Sequence, residues 1–261
     1  MILKKAIPFL LLSIVLVCSC KKNAPDNSAL INSSASLIKE MSYYDSIGNF
    51  ITSQSMEYNS QRQIVLMKSY YPKQYDTVIT RYEYHSNQVI ESHFDTNDML
   101  NYKYIYELNG IGLAVSRTII DYKSSADSTL NLDATYKYNS EGFLIESKFS
   151  PDDSLHWFKM NYQISGSNIS SQQYSDKYGS GPLRIFVYYP NSINTLGNYN
   201  EGISWFGKSS KELAKSSAYN TSAPDSMYYF YSFDSQNRPA IEKFREQHPS
   251  VGSRDLRITY Y

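Results

Sequence analysis

A unit of ten residues, Tyr136-Lys137-Tyr138-Asn139-Ser140-Glu141-Gly142-Phe143-Leu144-Ile145, returns along the chain with its tyrosines and turn residues in place. Further copies run from Tyr43 to Phe50, Tyr58 to Ile64, Tyr82 to Ile90, Tyr106 to Leu113, Tyr162 to Gly166 and Tyr231 to Arg238. Those led by Tyr58, Tyr82, Tyr106, Tyr136 and Tyr162 start 24 to 30 residues apart. Two strands of about ten residues with their two turns fill such an interval. The chain is written as a succession of β-hairpins.

In each unit Asn or Asp opens a type I turn, and the residue three later must turn left-handed to launch the returning strand. Gly48, Gly112, Gly142 and Asn237 stand there, residue types that tolerate it. Arg62 and Gln88 do not suit that position, which predicts a different construction for their turns. Across a short loop Asn139 faces Phe143, Tyr138 faces Leu144 and Tyr136 faces Glu146, so Tyr and Leu share the better-packed face. The 26 tyrosines suit strands that keep a ring inside and a hydroxyl in water.

No stretch sustains the i, i+3, i+4 apolar spacing of a helix; Ser209 to Ser217 comes nearest and would hold a turn or two. The fold class is therefore all-β, an up-and-down antiparallel meander of about 14–16 strands with little helix. Such a meander forms a curled sheet or a wide soluble barrel, whose lumen is filled at ~8 strands and open at ~16. A porin that spans the membrane needs an apolar outer band, which alternating Tyr and charge do not supply. With 25 basic against 25 acidic residues, no field attracts a nucleic acid. Charged residues at 19% beside 41% hydrophobic ones exclude a disordered polyelectrolyte.

The N-terminus carries an address. Met1 to Ser19 has a basic start, an apolar run from Ala6 to Val17 and a small residue before Cys20. That is the form of a secretory signal, and the run is too short for the ~20 residues of a bilayer-spanning helix. Val17-Cys18-Ser19-Cys20 resembles a bacterial lipobox, which implies cleavage before Cys20 and acylation of that residue. The chain then divides into a lipoprotein signal peptide (1–19), a flexible tether (20–36) and a single β-repeat domain (37–261). Only Cys18 and Cys20 are cysteines, so the folded part is expected to hold no disulfide, thiol nucleophile or thiolate metal site. Lys21 stands where Asp would retain a lipoprotein in the inner membrane, and no acidic surface-export cluster follows Cys20. The resemblance implies the outer membrane, on its periplasmic face rather than the cell surface.

Gly202-Ile203-Ser204-Trp205-Phe206-Gly207-Lys208-Ser209 matches the P-loop pattern letter for letter. A phosphate cradle also needs a buried strand before it and a helix starting at the Lys. Polar Asn191 to Glu201 precedes the match and a poor helix follows, so the expectation is a loop packing Trp205 and Phe206 onto the sheet, with no nucleotide. His85, His93, His156 and His248 have no companion at metal-ligand spacing, and His85 takes a turn position. Asp152 and Asp153 would point to opposite faces of a strand, and after Pro151 they read as a turn. Gly110-x-Gly112 and Gly179-x-Gly181 lack a βαβ context, and no Gly-x-Ser-x-Gly elbow is present. These patterns predict no catalytic residue, no cofactor and no metal. Asp followed by Ser or Thr and then an aliphatic residue or Met resembles the O-glycosylation sequon of exported Bacteroidetes proteins. It implies Ser46, Thr77, Ser154 and Ser226 as acceptors.

Tyr-x-Tyr-Asn-x-x-Gly-x-Leu resembles the tyrosine–aspartate repeats of Rhs-type cocoon proteins. The C-terminal part resembles Bacteroidetes lipoproteins of the DUF4595 family through Phe206-Gly207-Lys208-Ser209-Ser210-Lys211-Glu212-Leu213. The likeness continues in Tyr228 to Phe233, the Asp234 to Pro239 turn and the closing strand from Arg257 to Tyr261. Glu212 and Asn237 depart from that family's Asn and Gly. The resemblance implies a porin-like all-β fold and no particular activity. Two classes of function follow from the whole reading. One is a non-catalytic, membrane-anchored envelope protein that binds a glycan, lipid or partner protein through an aromatic sheet face. The other is a hydrolase with carboxylates gathered from distant strands.

Overall fold

The computed structural model describes residues 37–73, 76–122, 130–150, 156–221, 225–247 and 254–261. Cys20, the tether, Asp152, Asp153, Ser154 and His248 lie outside the described residues. The strands are β1 (Ile38–Asp45), β2 (Phe50–Tyr58), β3 (Ile64–Tyr71), β4 (Asp76–Tyr84), β5 (Gln88–Phe94), β6 (Leu100–Leu108), β7 (Ala114–Asp121) and β8 (Leu130–Tyr138). They continue as β9 (Leu144–Phe149), β10 (Phe158–Ser165), β11 (Asn168–Asp176), β12 (Gly179–Tyr188), β13 (Ala214–Tyr219), β14 (Ser226–Phe233), β15 (Pro239–Glu246) and β16 (Arg254–Tyr260). Each strand pairs antiparallel with the next, and β1 pairs with β16, so the meander closes into a barrel. Closure leaves no sheet edge exposed.

Six hairpin turns share one construction. In the turn after β8, the Asn139 N–H donates to Phe143 O at 3.0 Å and the Gly142 N–H to Asn139 O at 3.1 Å. The Asn139 side-chain oxygen accepts from the N–H groups of Glu141 and Phe143. Asp45, Asn59, Asp95, Asn109 and Asp234 cap their turns in the same way. The left-handed residue is Gly48 (φ 87°), Gly112 (81°), Gly142 (88°), Asn237 (60°), Asp98 (59°) and also Arg62 (64°). The expectation for Arg62 is corrected here: its turn is the standard one, with the Asn59 cap overriding the strain of an L-residue in that region. The Gln88 turn is built differently, as a tight turn closed by the His85 N–H on Gln88 O.

The register carries a second correction. Tyr138 faces Leu144, but Tyr136 faces Ser147 rather than Glu146, because Ile145 bulges out of the ladder. The same one-residue bulge follows five other turns, at Ile51, Val65, Asn101, Val115 and Ala240. A bulge sharpens the local right-handed twist and bends the strand, which is what closing a wide barrel requires.

The tyrosine excess has a structural reason that differs from wet hydroxyls. Tyr58 Oη donates to Ile38 O at 2.7 Å, Tyr84 Oη to Ile64 O at 2.8 Å, Tyr188 Oη to Ile169 O at 2.6 Å and Tyr260 Oη to Pro239 O at 2.9 Å. In each case the last residue of an even-numbered strand, a tyrosine, latches the first or second residue of the strand before it. Each latch contributes about 1 kcal/mol. The rings of Tyr82, Tyr106 and Tyr136 form the core with Met41, Met56, Val89 and Ile258, and Tyr58, Tyr84 and Tyr260 pack against it.

Outward positions, which alternate with these tyrosines, carry ion pairs. Lys137 and Lys159 both reach Glu146 (2.8 and 3.4 Å), Lys68 reaches Glu57 and Arg245 reaches Asp255. A lysine or arginine facing lipid at mid-bilayer would cost about 2–4 kcal/mol.

Candidate functional site

The connection from Tyr189 to Leu213 is longer than the two-to-five-residue loops usual between strands, and it turns inward. Its only regular element is a 3-10 turn, Ser204–Phe206. Trp205, 3% exposed, stands among the rings of Tyr82, Tyr84 and Tyr106, with centroids 5.7–6.1 Å away. Phe206 packs edge-on against Tyr106 and Tyr136. The loop is a plug at the end where even-numbered strands finish and β1 begins. Backbone bonds dock it to four hairpins: Ile38 N–H to Asn200 O, Ile64 N–H to Gly202 O, Lys208 N–H to Gly142 O, and Lys211 N–H to Ser167 O.

The P-loop-like spelling is explained by this docking. A Cβ on Gly202 would lie 2.6 Å from the Tyr58 ring and 2.7 Å from Ile64 N, and one on Gly207 would lie 2.5 Å from Gly142 O. Both glycines also hold positive φ (74° and 77°). They are there so that two backbones can touch. Lys208 sets its ammonium over the Phe143 ring at 5.7 Å. The expectation that Trp205 and Phe206 pack onto the sheet holds. Ser209 to Ser217, read as a poor helix of a turn or two at most, holds none, because β13 takes Ala214–Tyr219 and pairs on both sides. Sheet partners outweigh weak local propensity.

Above the plug lies a lumenal cavity of about 630 Å³. The aromatic side chains of Tyr136, Phe149, Tyr162, Phe186, Tyr188 and Tyr231 line it, with Gln172 and Asn194 among its neutral polar groups. A second cavity of about 510 Å³ lies on the far side, lined by Arg62, Tyr199 and Lys211. Asn194, Lys208, Ser209 and Ser210 line both, so this segment is a septum between them. The charged groups of the lumenal cavity are Arg117, Lys208, Glu212 and Glu242. Arg117 is ion-paired with Asp133 and stacks over Tyr104 at 4.3 Å. Glu212 accepts from Asn168 Nδ2 at 3.0 Å and from the Asn191 N–H at 2.8 Å. That carboxylate ties down the plug. Among the described residues Glu242 has one hydrogen-bond partner, Tyr231 Oη at 3.5 Å, and its burial pushes its carboxyl above the usual carboxylate range.

Sequence reasoning missed a polar chain on the opposite wall. His93 Nε2 lies 2.6 Å from Glu91, Tyr106 Oη donates to Glu91 at 2.8 Å, and His93 Nδ1 lies 3.3 Å from Thr80 Oγ1. His93 stacks on Tyr102 with 4.3 Å between centroids. Glu91-x-His93 is the signal that could have found it, since residues two apart share a strand face. Thr80 is 1% exposed, which makes this a structural brace rather than a reacting group. No group of three or more metal-ligating side chains gathers among the described residues. His85 lies exposed in its turn. Of the predicted glycosylation sites, Ser46 is exposed in the β1–β2 turn, Thr77 is the second residue of β4 and Ser226 opens β14. All three stand at the rim opposite the plug, on separate strands. Cys20 and Ser154 lie outside the described residues.

Sixteen strands closed around a lumen place the chain beside two solved structures. A porin-like protein from Bacteroides uniformis matches with a TM-score of 0.62 at 14% identity, over 86% of this chain and 98% of that one. A porin-like protein from Bacteroides vulgatus matches with a TM-score of 0.54 at 10% identity, over 87% of this chain and 99% of the other. The fold is porin-like. At such identities the likeness is one of fold. No family model matches the chain, and no curated protein is similar to it. The resemblance to the DUF4595 family and to tyrosine–aspartate repeats is thus supported in its implied fold and not in its membership.

Proposed function

We propose that the protein is a non-catalytic envelope lipoprotein of the bacterial outer membrane that binds a glycan in its lumen. The observation that carries this reading is the cavity of about 630 Å³, walled by six aromatic rings and closed below by the plug. Ring faces accept sugar faces without demanding one sequence of sugars, while Gln172 and Asn194 offer the few polar contacts that fix orientation. The carboxylates that a hydrolase would need do not converge as a free pair, since Glu212 is engaged by Asn168 and Asn191. The porin-like neighbours from Bacteroides support an envelope location, and the ion-paired outer wall supports a barrel held at the membrane by the Cys20 lipid rather than threaded through it. Because β1 starts at the plugged end, the anchor would hold that end toward the membrane and leave the rim of Ser46 and Thr77 outward. Calorimetric titration with bacterial cell-surface oligosaccharides tests the reading. Micromolar binding that Tyr162→Ala and Phe186→Ala weaken is expected; absence of binding across such a panel would refute it.

A further inference from the structure

Most carboxylates inside this barrel come with partners. Glu91 has His93 and Tyr106, Asp133 has Arg117, and Glu212 has Asn168 and the Asn191 N–H. Glu242 does not. It lines the lumenal cavity, forms no ion pair among the described residues, and its one hydrogen bond, from Tyr231 Oη, is long at 3.5 Å. Its register neighbours are Tyr231 on β14 and Leu256 on β16, and Leu256 in turn faces Tyr43 on β1. Of the cations on these strands, Lys243, Arg245 and Arg257 alternate onto the other face, Lys39 lies over the Tyr261 ring, and Arg254, exposed at the start of β16, forms no ion pair with Glu242 among the described residues. The other unpartnered acid of the interior, Glu201, sits on the plug and does not line the cavity.

A carboxylate kept from water without a cation is unfavourable, and while two N–H donors engage the other acid of this cavity, Glu212, this one is left open to the cavity. Ring faces beside it add attraction for a cation through their quadrupoles. We infer that Glu242 is the subsite for a positively charged nitrogen, so that the glycan bound in the lumen carries a free amino group rather than an acetylated one. This inference rests on the lumenal glycan reading and specifies the ligand class. An acetamide has no charge to offer Glu242 and would bring a carbonyl oxygen toward it. Arg117 and Lys208 line the same cavity away from β15 and keep an all-cationic chain from filling it, which favours a ligand with its amine at one end.

The test uses two probes that share rings and differ in one charge, a short N-acetylglucosamine oligomer with a single de-N-acetylated end residue and its fully N-acetylated counterpart. By titration calorimetry at neutral pH the free-amine oligomer should bind roughly tenfold or more tightly, the scale of one hydrogen bond to a charged group. Glu242→Gln, checked for an unchanged melting temperature, should bring both probes to the same affinity. Tyr162→Ala should weaken both and keep their ratio. Equal binding of the two probes to the native protein overturns the inference, as does a preference that survives Glu242→Gln. If neither oligomer binds but another glycan does, the lumenal reading stands and the amine subsite is refuted. If no glycan binds, both fall.

Discussion

The plug is held by contacts too close for a side chain, and Gly207→Ala measures what that docking is worth. The backbone at φ 77° and ψ −160° lies in a region essentially reserved for glycine and costs an L-residue on the order of 1–3 kcal/mol. The new methyl would stand 2.5 Å from Gly142 O, so the plug must lift. Lifting breaks the 2.9 Å bond from the Lys208 N–H to Gly142 O, about 1 kcal/mol more. It also drags on Trp205, whose full release would add roughly 1.5–3 kcal/mol. The expected loss is about 3 kcal/mol or greater. Gly48→Ala supplies the control, because Gly48 has a φ of 87° and nothing within 4 Å of its added Cβ. It should lose only the backbone part, about 1–2 kcal/mol. Urea unfolding followed by circular dichroism gives both values, and tryptophan emission reports whether Trp205 leaves its ring cage. Equal losses for the two variants, with unshifted emission, would refute the docking account.

Gly142→Val should destabilise by about 1–2 kcal/mol through its left-handed φ of 88°, and Gly142→Asn by much less, since Asn237 already holds that conformation; equal stabilities would contradict the turn. Burial pushes the Glu201 carboxyl up to about 7 from 4.5. The native state therefore keeps a proton that the unfolded chain has lost, and this group lowers stability as pH rises from about 4.5 to about 7, by up to ~3 kcal/mol. Glu201→Gln should be the more stable protein at pH 8 and lose that advantage at pH 4; parallel curves would remove Glu201 from the account. Trp205→Ala should cost about 3–5 kcal/mol as a buried aromatic truncation, and a smaller loss than that of an exposed aromatic such as Tyr178 would show that the plug packs loosely.

What was legible in the sequence is what the chain settles locally. A cap residue, a left-handed position and a tyrosine pair fall within a few residues, so the hairpins, the meander and a count of about 14–16 strands, against the sixteen observed, follow from spacing alone. Even the false P-loop could be rejected on its flanks. Decisions between distant segments were not legible. The bulge at Ile145 depends on the twist that closure demands of the whole sheet, and Arg62 keeps its strained φ because the Asn59 cap and the neighbouring strands hold it there. Closure itself requires β1 to meet β16 across the full length of the domain. The plug turns inward because Trp205 and Phe206 find rings supplied by β4, β6 and β8, and its glycines fit only against turns far away in sequence. The cavity and the solitary Glu242 exist only once those segments are brought together, since burial and the want of a partner are properties of a neighbourhood, and a neighbourhood is made by the tertiary fold.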